Sequence, residues 1–204
     1  MISTLEVNCC QQVIALSWSS ERYRVTINQY GLTGGTMVNG VHTDTMLPMP
    51  HVQIRSARLS DLDQLATLCE ALWPQSPAEE HAQELRLKLE DKTALVSAMP
   101  LTILVTEAKD GKLMGFLEVG LRSHADGCNP SRPVGYIEGW YVTEDHRRCG
   151  VGRTLLAKAE AWARSHGCVE MASDALIDNQ LSQSVHEALG YQVVDRCVHY
   201  RRRL

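Results

Sequence analysis

Long apolar runs are missing from this sequence, and so are the features that direct a chain to a membrane. No stretch reaches the roughly 18 consecutive apolar residues that a membrane-spanning helix needs. Residues 1–6 lack the charged start and the long apolar stretch of a signal peptide. We therefore expect a soluble protein of the cytoplasm without a membrane partner.

Cysteine pairs with the spacing of a disulfide framework or a metal site are also missing. The chain has 7 cysteines, an odd number, and no Cys-x-x-Cys motif. Free thiols in a reducing compartment fit this distribution best. No Cys/His spacing matches a zinc ligand set, so we expect no metal.

An excess of positive charge is absent as well. The formal net charge is -4 at pH 7, which gives no reason to expect a nucleic-acid partner. Residues 201–203 are three arginines, which we interpret as a solvated strand edge or a contact in a homodimer. A mildly acidic protein is compatible with a cationic substrate.

The chain divides at about residue 50. Residues 1–50 mix short apolar pieces with glycines and show no sustained period. We interpret them as an N-terminal extension of uncertain order, with a small structural element as the alternative. Regular patterns begin at residue 51, and 51–204 is predicted to be one domain.

Strand and helix patterns alternate through that domain. Ser60 is predicted to cap one helix and Ser76 the next, and Asp110-Gly111 marks a hairpin turn. Strands are predicted at 52–57, 101–108, 113–122, 136–142, 168–173, from 191 onward and at 198–202, and the later helices at 152–166 and 180–189. This order predicts an α/β (α+β) domain with a mixed sheet covered by helices.

The most specific segment joins an apolar strand to an amphipathic helix. Arg147, Gly150 and Gly152 fit the pattern R/Q-x-x-G-x-G/A. Glycines allow the backbone to approach an anion, and the helix N-terminus offers unpaired N–H groups. The segment predicts a pyrophosphate cradle, with charge-assisted contacts from Arg147 and Arg148. A surface turn with solvated arginines is the alternative.

A second motif follows about 30 residues later. Asn179, Ser182, His186, Gly190 and Tyr191 resemble the pattern N-x-x-A-x-x-x-Y-x-x-x-G-F of the GNAT superfamily of N-acetyltransferases. The resemblance implies a GNAT fold: a central mixed, mostly antiparallel sheet flanked by helices, with a V-shaped splay between two parallel strands. It also implies that acetyl-CoA is the cosubstrate. The acetyl-CoA contacts implied are Tyr141, Val142, Arg147, Arg148, Cys149, Gly150, Val151, Gly152, Arg153, Asn179 and His186.

Longer segments are similar to one branch of that superfamily, the aminoglycoside 6'-N-acetyltransferases. The similar segments are 136–142, 170–174, 185–191 and 199–203. This similarity covers 51–204 and implies acetylation of an aminoglycoside, at the 6'-amine, by direct attack in a ternary complex. His124-Ala125 departs from the Asp-Tyr-Val expected there, which affects substrate contacts rather than the reaction.

Carboxylates near the two motifs are candidates for holding a polycationic substrate. Glu138 lies mid-strand, with Tyr136 and Trp140 expected on its own face, and Asp174 ends the next strand. Both are predicted to face one crevice and to bind the substrate or accept its proton. For Glu138 the alternative is a structural ion pair with a buried arginine, and for Asp174 a helix cap or turn.

Other candidates lie on the early helices and on the last one. Trp73 is a candidate for stacking on a sugar, and Glu79 and Glu80 for binding ammonium groups. Core packing and a solvated helix start are the alternatives. His186 stands where many relatives place a tyrosine near the departing sulfur, and a protonated imidazole is able to donate to a thiolate. A packed histidine is the alternative.

Two other functions remain open at this point. One is a GNAT enzyme acting on another amine, such as a polyamine or a protein N-terminus. The other is a non-catalytic acyl-CoA sensor. The acidic candidates favour a cationic small molecule over a peptide, whereas the anion-binding turn fits all three functions.

Overall fold

The computed structural model describes residues 52–92 and 98–203, so the predicted extension at 1–50 lies outside the described residues. The strands of this part are β1 (Gln53–Ser56), β2 (Leu101–Glu107), β3 (Leu113–Arg122), β4 (Val134–Val142) and β5 (Met171–Ser173). The α-helices are α1 (Leu62–Leu72), α2 (Ala78–Asp91), α3 (Val151–Ser165) and α4 (Gln180–Ala188). Within the described residues, no helix combines the length and the apolar character needed to cross a membrane.

The sheet is mixed and splayed at one place. Its strand order is β1-β2-β3-β4-β5, antiparallel up to β4 and parallel between β4 and β5. β5 pairs only with Gly135–Ile137, so no strand of the described part of the chain pairs with the later half of β4 on that side. The predicted α/β architecture, with a splay between two parallel strands, is confirmed.

Helices cover both faces of the sheet. α1 and α2 pack on one face, against side chains that include Phe116 and Tyr141. α3 packs on the other face, against Leu117, Ile137 and Trp140. β4 is buried along its whole length, as expected for a strand covered on both faces.

A β-bulge in β4 changes which side chains share a face. Glu118 pairs with Gly139 and Val119 pairs with Ile137, which leaves Glu138 as the extra residue. As a result Trp140 packs against α3 on one face of the sheet, and Gly139 faces Trp73 on the other face. The expectation that Glu138 and Trp140 share a face is therefore wrong, because the bulge shifts the alternation by one residue.

The predicted helix caps are also wrong. Residues Leu59–Asp61 form a 3-10 turn, and the Asp61 carboxylate accepts a 2.7 Å hydrogen bond from the Arg58 amide. α1 then begins at Leu62, so Ser60 is not its cap. Pro77 occupies the N-cap position of α2, and no side chain caps that helix. Asp61 occupies the N-cap position of α1, but its carboxylate binds Arg55 and the Arg58 amide instead of capping the helix.

The strands predicted after α4 do not form. Residues 191–203 have no strand pairing, and β5 is the last strand of the sheet. Val193, Val194, Val198 and Tyr200 are exposed there. The apolar alternation of this tail is real, but a strand also needs a neighbour, and the described residues offer none.

Candidate active site

The turn between β4 and α3 is built as an anion-binding turn. Arg148 and Gly150 take positive φ angles of 59° and 80°. Gly150 occupies the N-cap position of α3, which has no side-chain cap, so the amides of Val151, Gly152 and Arg153 point out of the helix start. These amides and the helix dipole provide a site for a phosphate group.

Arg147 braces this turn. Its Nε donates a 2.8 Å hydrogen bond to the Val142 carbonyl, and a terminal nitrogen lies 3.4 Å from the Glu144 carboxylate. Its guanidinium lies 5.6 Å from the Tyr141 ring centroid. Arg147 thus shapes the turn in addition to the anion contact predicted for it. Cys149 is exposed in the same turn.

Gly152 lets α3 approach β4 closely. A Cβ at this position would lie 3.0 Å from Cζ2 of Trp140. The Trp140 ring meets His186 edge-on at 5.9 Å, and His186 meets Tyr191 edge-on at 5.3 Å. Trp140 Nε1, His186 Nε2 and the Tyr191 hydroxyl are buried without a hydrogen-bond partner among the described residues. Such orphaned groups are costly and indicate a polar ligand between α3 and α4.

His186 has a defined hydrogen bond at one nitrogen. Its Nδ1 lies 2.8 Å from the Ser182 carbonyl, so Nδ1 carries the proton and Nε2 a lone pair. Burial lowers the pKa of His186. The structure therefore favours a neutral imidazole that accepts a hydrogen bond at Nε2, and a proton-donating role would need another protonation state. Asn179 caps α4 by accepting from the Ser182 amide at 3.0 Å.

The predicted carboxylates converge at the splay. Arg122 pairs with Glu138 through two hydrogen bonds of 2.9 Å and 2.6 Å, and stacks 3.4 Å from the centroid of the Tyr136 ring. The Tyr136 hydroxyl and the Asp174 carboxyl group lie close enough for each to shift the pKa of the other. Burial raises the pKa of Asp174, and the positive charge of Arg122 opposes that rise. Arg122 was missed by sequence reasoning, because its place beside β4 follows from the β3–β4 register.

The candidates on the early helices are placed differently. Trp73 is buried against Gly139 and Phe116, and its Nε1 has no hydrogen-bond partner among the described residues. Glu79 and Glu80 are exposed on the first turn of α2. In residues 52–92 and 98–203, no cluster of three or more His, Cys, Asp or Glu side chains is arranged to hold a metal ion.

Known proteins resemble the chain in both sequence and structure. A family model described as "Acetyltransferase (GNAT) family" matches residues 65–191. An aminoglycoside N(6')-acetyltransferase type 1 of Klebsiella aerogenes is 40% identical over 140 residues, which are 69% of this chain and 88% of that protein. One of the same name from Stenotrophomonas maltophilia is 37% identical over 148 residues, or 72% of this chain and 91% of that protein. The structure of AAC(6')-Iy in complex with the bisubstrate analog CoA-S-monomethyl-acetylneamine matches with a TM-score of 0.67 and 33% identity, covering 76% of this chain and 99% of that one.

Proposed function

Because this chain belongs to the GNAT family of acetyltransferases, we propose that it transfers the acetyl group of acetyl-CoA to the 6'-amine of aminoglycosides and so confers resistance to them. The names of the relatives support the substrate class. The observation that carries the proposal in this chain is the convergence of Glu138 and Asp174 at the splay of a sheet whose strand β4 leads into the anion-binding turn.

The residues around α3 fit acetyl-CoA. The amides of Val151, Gly152 and Arg153 are available for its pyrophosphate. Trp140 Nε1 and His186 Nε2 supply an unused donor and an unused acceptor for its polar arm. Bound acetyl-CoA would supply the activated acetyl group as a thioester.

Two carboxylates fit the other substrate. An aminoglycoside amine with a pKa of about 8–10 is mostly protonated at neutral pH, so it needs a counter-charge to bind and a proton acceptor to react. Glu138 and Asp174 offer both at the splay. Cys149 is exposed, and the His146 imidazole of the same turn is hydrogen-bonded to Thr143, so we favour direct attack in a ternary complex over an acyl-cysteine route.

A panel of acceptors tests this function against the alternatives. Release of free CoA should be measured with an aminoglycoside, a polyamine and a peptide with a free N-terminus. We expect the highest kcat/KM for the aminoglycoside. Preference for the polyamine or the peptide would indicate a GNAT enzyme with another substrate, and binding of acetyl-CoA without turnover of any amine would indicate a sensor.

The anion-binding turn should carry the stabilisation by acetyl-CoA. Gly150→Val places a branched side chain at a φ of 80° and on the approach to the helix amides. We expect it to weaken acetyl-CoA binding by about 1–3 kcal/mol, the cost of polar groups that lose their partner. The thermal shift at fixed acetyl-CoA concentration measures the effect, with Gly167→Val as a control at another positive-φ glycine. An unchanged shift in folded Gly150→Val protein would remove the turn from the binding site.

A homodimer is part of the proposal. The tail after α4 exposes Val193, Val194 and Val198, which a second copy is able to cover. We expect sedimentation equilibrium to give twice the 22.7 kDa mass of the chain, and a Val194→Ser/Val198→Ser variant to dissociate. Leu87→Ser removes an exposed apolar side chain of α2 as a control. A monomeric unchanged protein would contradict the dimer.

The cytoplasm is the proposed location. The odd number of cysteines and the lack of a Cys-x-x-Cys motif suit a reducing compartment. Acetyl-CoA is then available at the site of the reaction.

A further inference from the structure

The guanidinium group of Arg122 pairs with Glu138 and lies near enough to Asp174 to influence its pKa. Arg122 Nε and a terminal nitrogen lie 2.9 Å and 2.6 Å from the two oxygens of Glu138. The central carbon of the same guanidinium lies over the Tyr136 ring, 3.4 Å from the ring centroid. The planar fork thus engages both carboxylate oxygens while an aromatic ring supports it.

This pairing limits what Glu138 is able to do. A carboxylate with both oxygens bound by a guanidinium loses charge-assisted hydrogen bonds when it takes a proton. It keeps further lone pairs, so it is still able to bind an ammonium group beside the arginine. Glu138 is therefore suited to holding a cation and unsuited to accepting a proton.

The surroundings of Asp174 differ from those of Glu138, because one of its carboxylate oxygens is not hydrogen-bonded within the described residues. Its Oδ1 is buried without a hydrogen-bond partner among the described residues. Burial raises the pKa of this carboxyl group; the charge of Arg122 lowers it, and Glu138 raises it further. A partly buried carboxylate with an unused oxygen is able to accept a hydrogen bond from a substrate ammonium group and then to take its proton.

We propose that Arg122 divides the work between the two carboxylates, so that Glu138 binds substrate ammonium groups and Asp174 accepts the proton of the reacting ammonium. Arg122 is a positioning residue in this assignment, and Asp174 is a catalytic residue. The assignment rests on the proposed function and states which carboxylate performs which step.

The reaction balances with the groups named. The N–H bond of the reacting ammonium breaks and its proton moves to the Asp174 carboxylate. The freed electron pair forms a bond to the thioester carbonyl carbon, and the carbon–sulfur bond breaks. The sulfur leaves with the electron pair of the broken carbon–sulfur bond and takes the second proton lost by the nitrogen. Protonated Asp174 later returns its proton to solvent.

The pH dependence of kcat separates the roles, because kcat reports ionisations within the complex. At saturating acetyl-CoA and aminoglycoside, the kcat of the unchanged enzyme should fall at acid pH and reach a plateau above the pKa of Asp174. Asp174→Asn should lower kcat by about a hundredfold to ten-thousandfold and lose the plateau. Its kcat should rise about tenfold per pH unit toward the pKa of the amine itself.

The other variants should move the plateau without removing it. Glu138→Gln should raise the KM for the aminoglycoside and shift the acidic limb to lower pH, because a neighbouring negative charge is lost. Arg122→Met should shift the limb to higher pH, because a neighbouring positive charge is lost. Arg122→Lys keeps that charge and should restore the original position, which a purely structural role would not predict.

Two results would overturn the assignment. If Glu138→Gln loses the plateau while Asp174→Asn keeps it, the roles are reversed, although the enzyme still acetylates aminoglycosides. If Arg122→Met and Arg122→Lys leave the limb in the same place, Arg122 has no part in it. Absence of aminoglycoside turnover in the unchanged enzyme would instead reject the proposed function.

Discussion

Glu138→Gln/Asp174→Asn is expected to lower kcat/KM for an aminoglycoside by about a thousandfold or more, the combined effect of losing a charged contact and a general base. The KM for acetyl-CoA should hardly change, because that substrate is expected to bind at the turn before α3. Steady-state kinetics with each substrate varied in turn measures both effects.

The control for this variant removes two carboxylates elsewhere. Asp63 and Glu90 are exposed on α1 and α2, so Asp63→Asn/Glu90→Gln changes the net charge equally without touching the splay. We expect nearly unchanged kinetics from this control. Near-normal aminoglycoside kinetics in Glu138→Gln/Asp174→Asn would show that these carboxylates do not bind the aminoglycoside. The proposed acetyl-CoA site before α3 would be unaffected.

Lys88→Met is expected to lower the free energy of unfolding by about 3–5 kcal/mol, as observed when one partner of a buried ion pair is removed. Lys88 Nζ lies 2.7 Å from the Glu118 carboxylate and 2.6 Å from that of Glu84, and its side chain is 8% exposed. Glu118 is 2% exposed, so the substitution leaves a buried negative charge without its counter-ion. Denaturation by urea, followed by circular dichroism, measures the loss.

The pH dependence of that loss identifies its cause. Burial raises the pKa of Glu118, and Lys88 opposes the rise, so Lys88→Met should raise it further. Protonation of Glu118 removes the uncompensated charge, and the difference from the unchanged protein should shrink as the pH falls. Arg164→Met breaks an exposed pair with Glu160 and should cost about 0.5 kcal/mol or less. A loss from Lys88→Met as small as this control, at every pH, would contradict the buried-pair interpretation.

Much of the fold could be predicted from the sequence, because the strands of the sheet core carry their own signals. β3 and β4 are apolar runs between turn residues, and the structure places them at Leu113–Arg122 and Val134–Val142. The turn before α3 could also be predicted, because its backbone conformation requires the glycine found at position 150.

Other features depend on contacts between distant parts of the chain and have no local signal. The bulge at Glu138 depends on how β3 aligns with β4, and it moves Trp140 to the opposite face. The same register places Arg122 on Glu138, so the sequence offered an arginine partner for Glu138 as an alternative but did not identify which arginine it is. The tail after α4 has a strand-like alternation that finds no neighbouring strand in the described residues.

Acetyl transfer to the 6'-amine of an aminoglycoside is the reaction that we propose for this protein. Its most direct test is product mapping by NMR after incubation with acetyl-CoA, for an aminoglycoside with a 6'-amine and a matched one with a 6'-hydroxyl. We expect a single acetyl group on the 6'-nitrogen of the first and no acetylation of the second. An acetyl group on another nitrogen, or equal acetylation of both compounds, would contradict it.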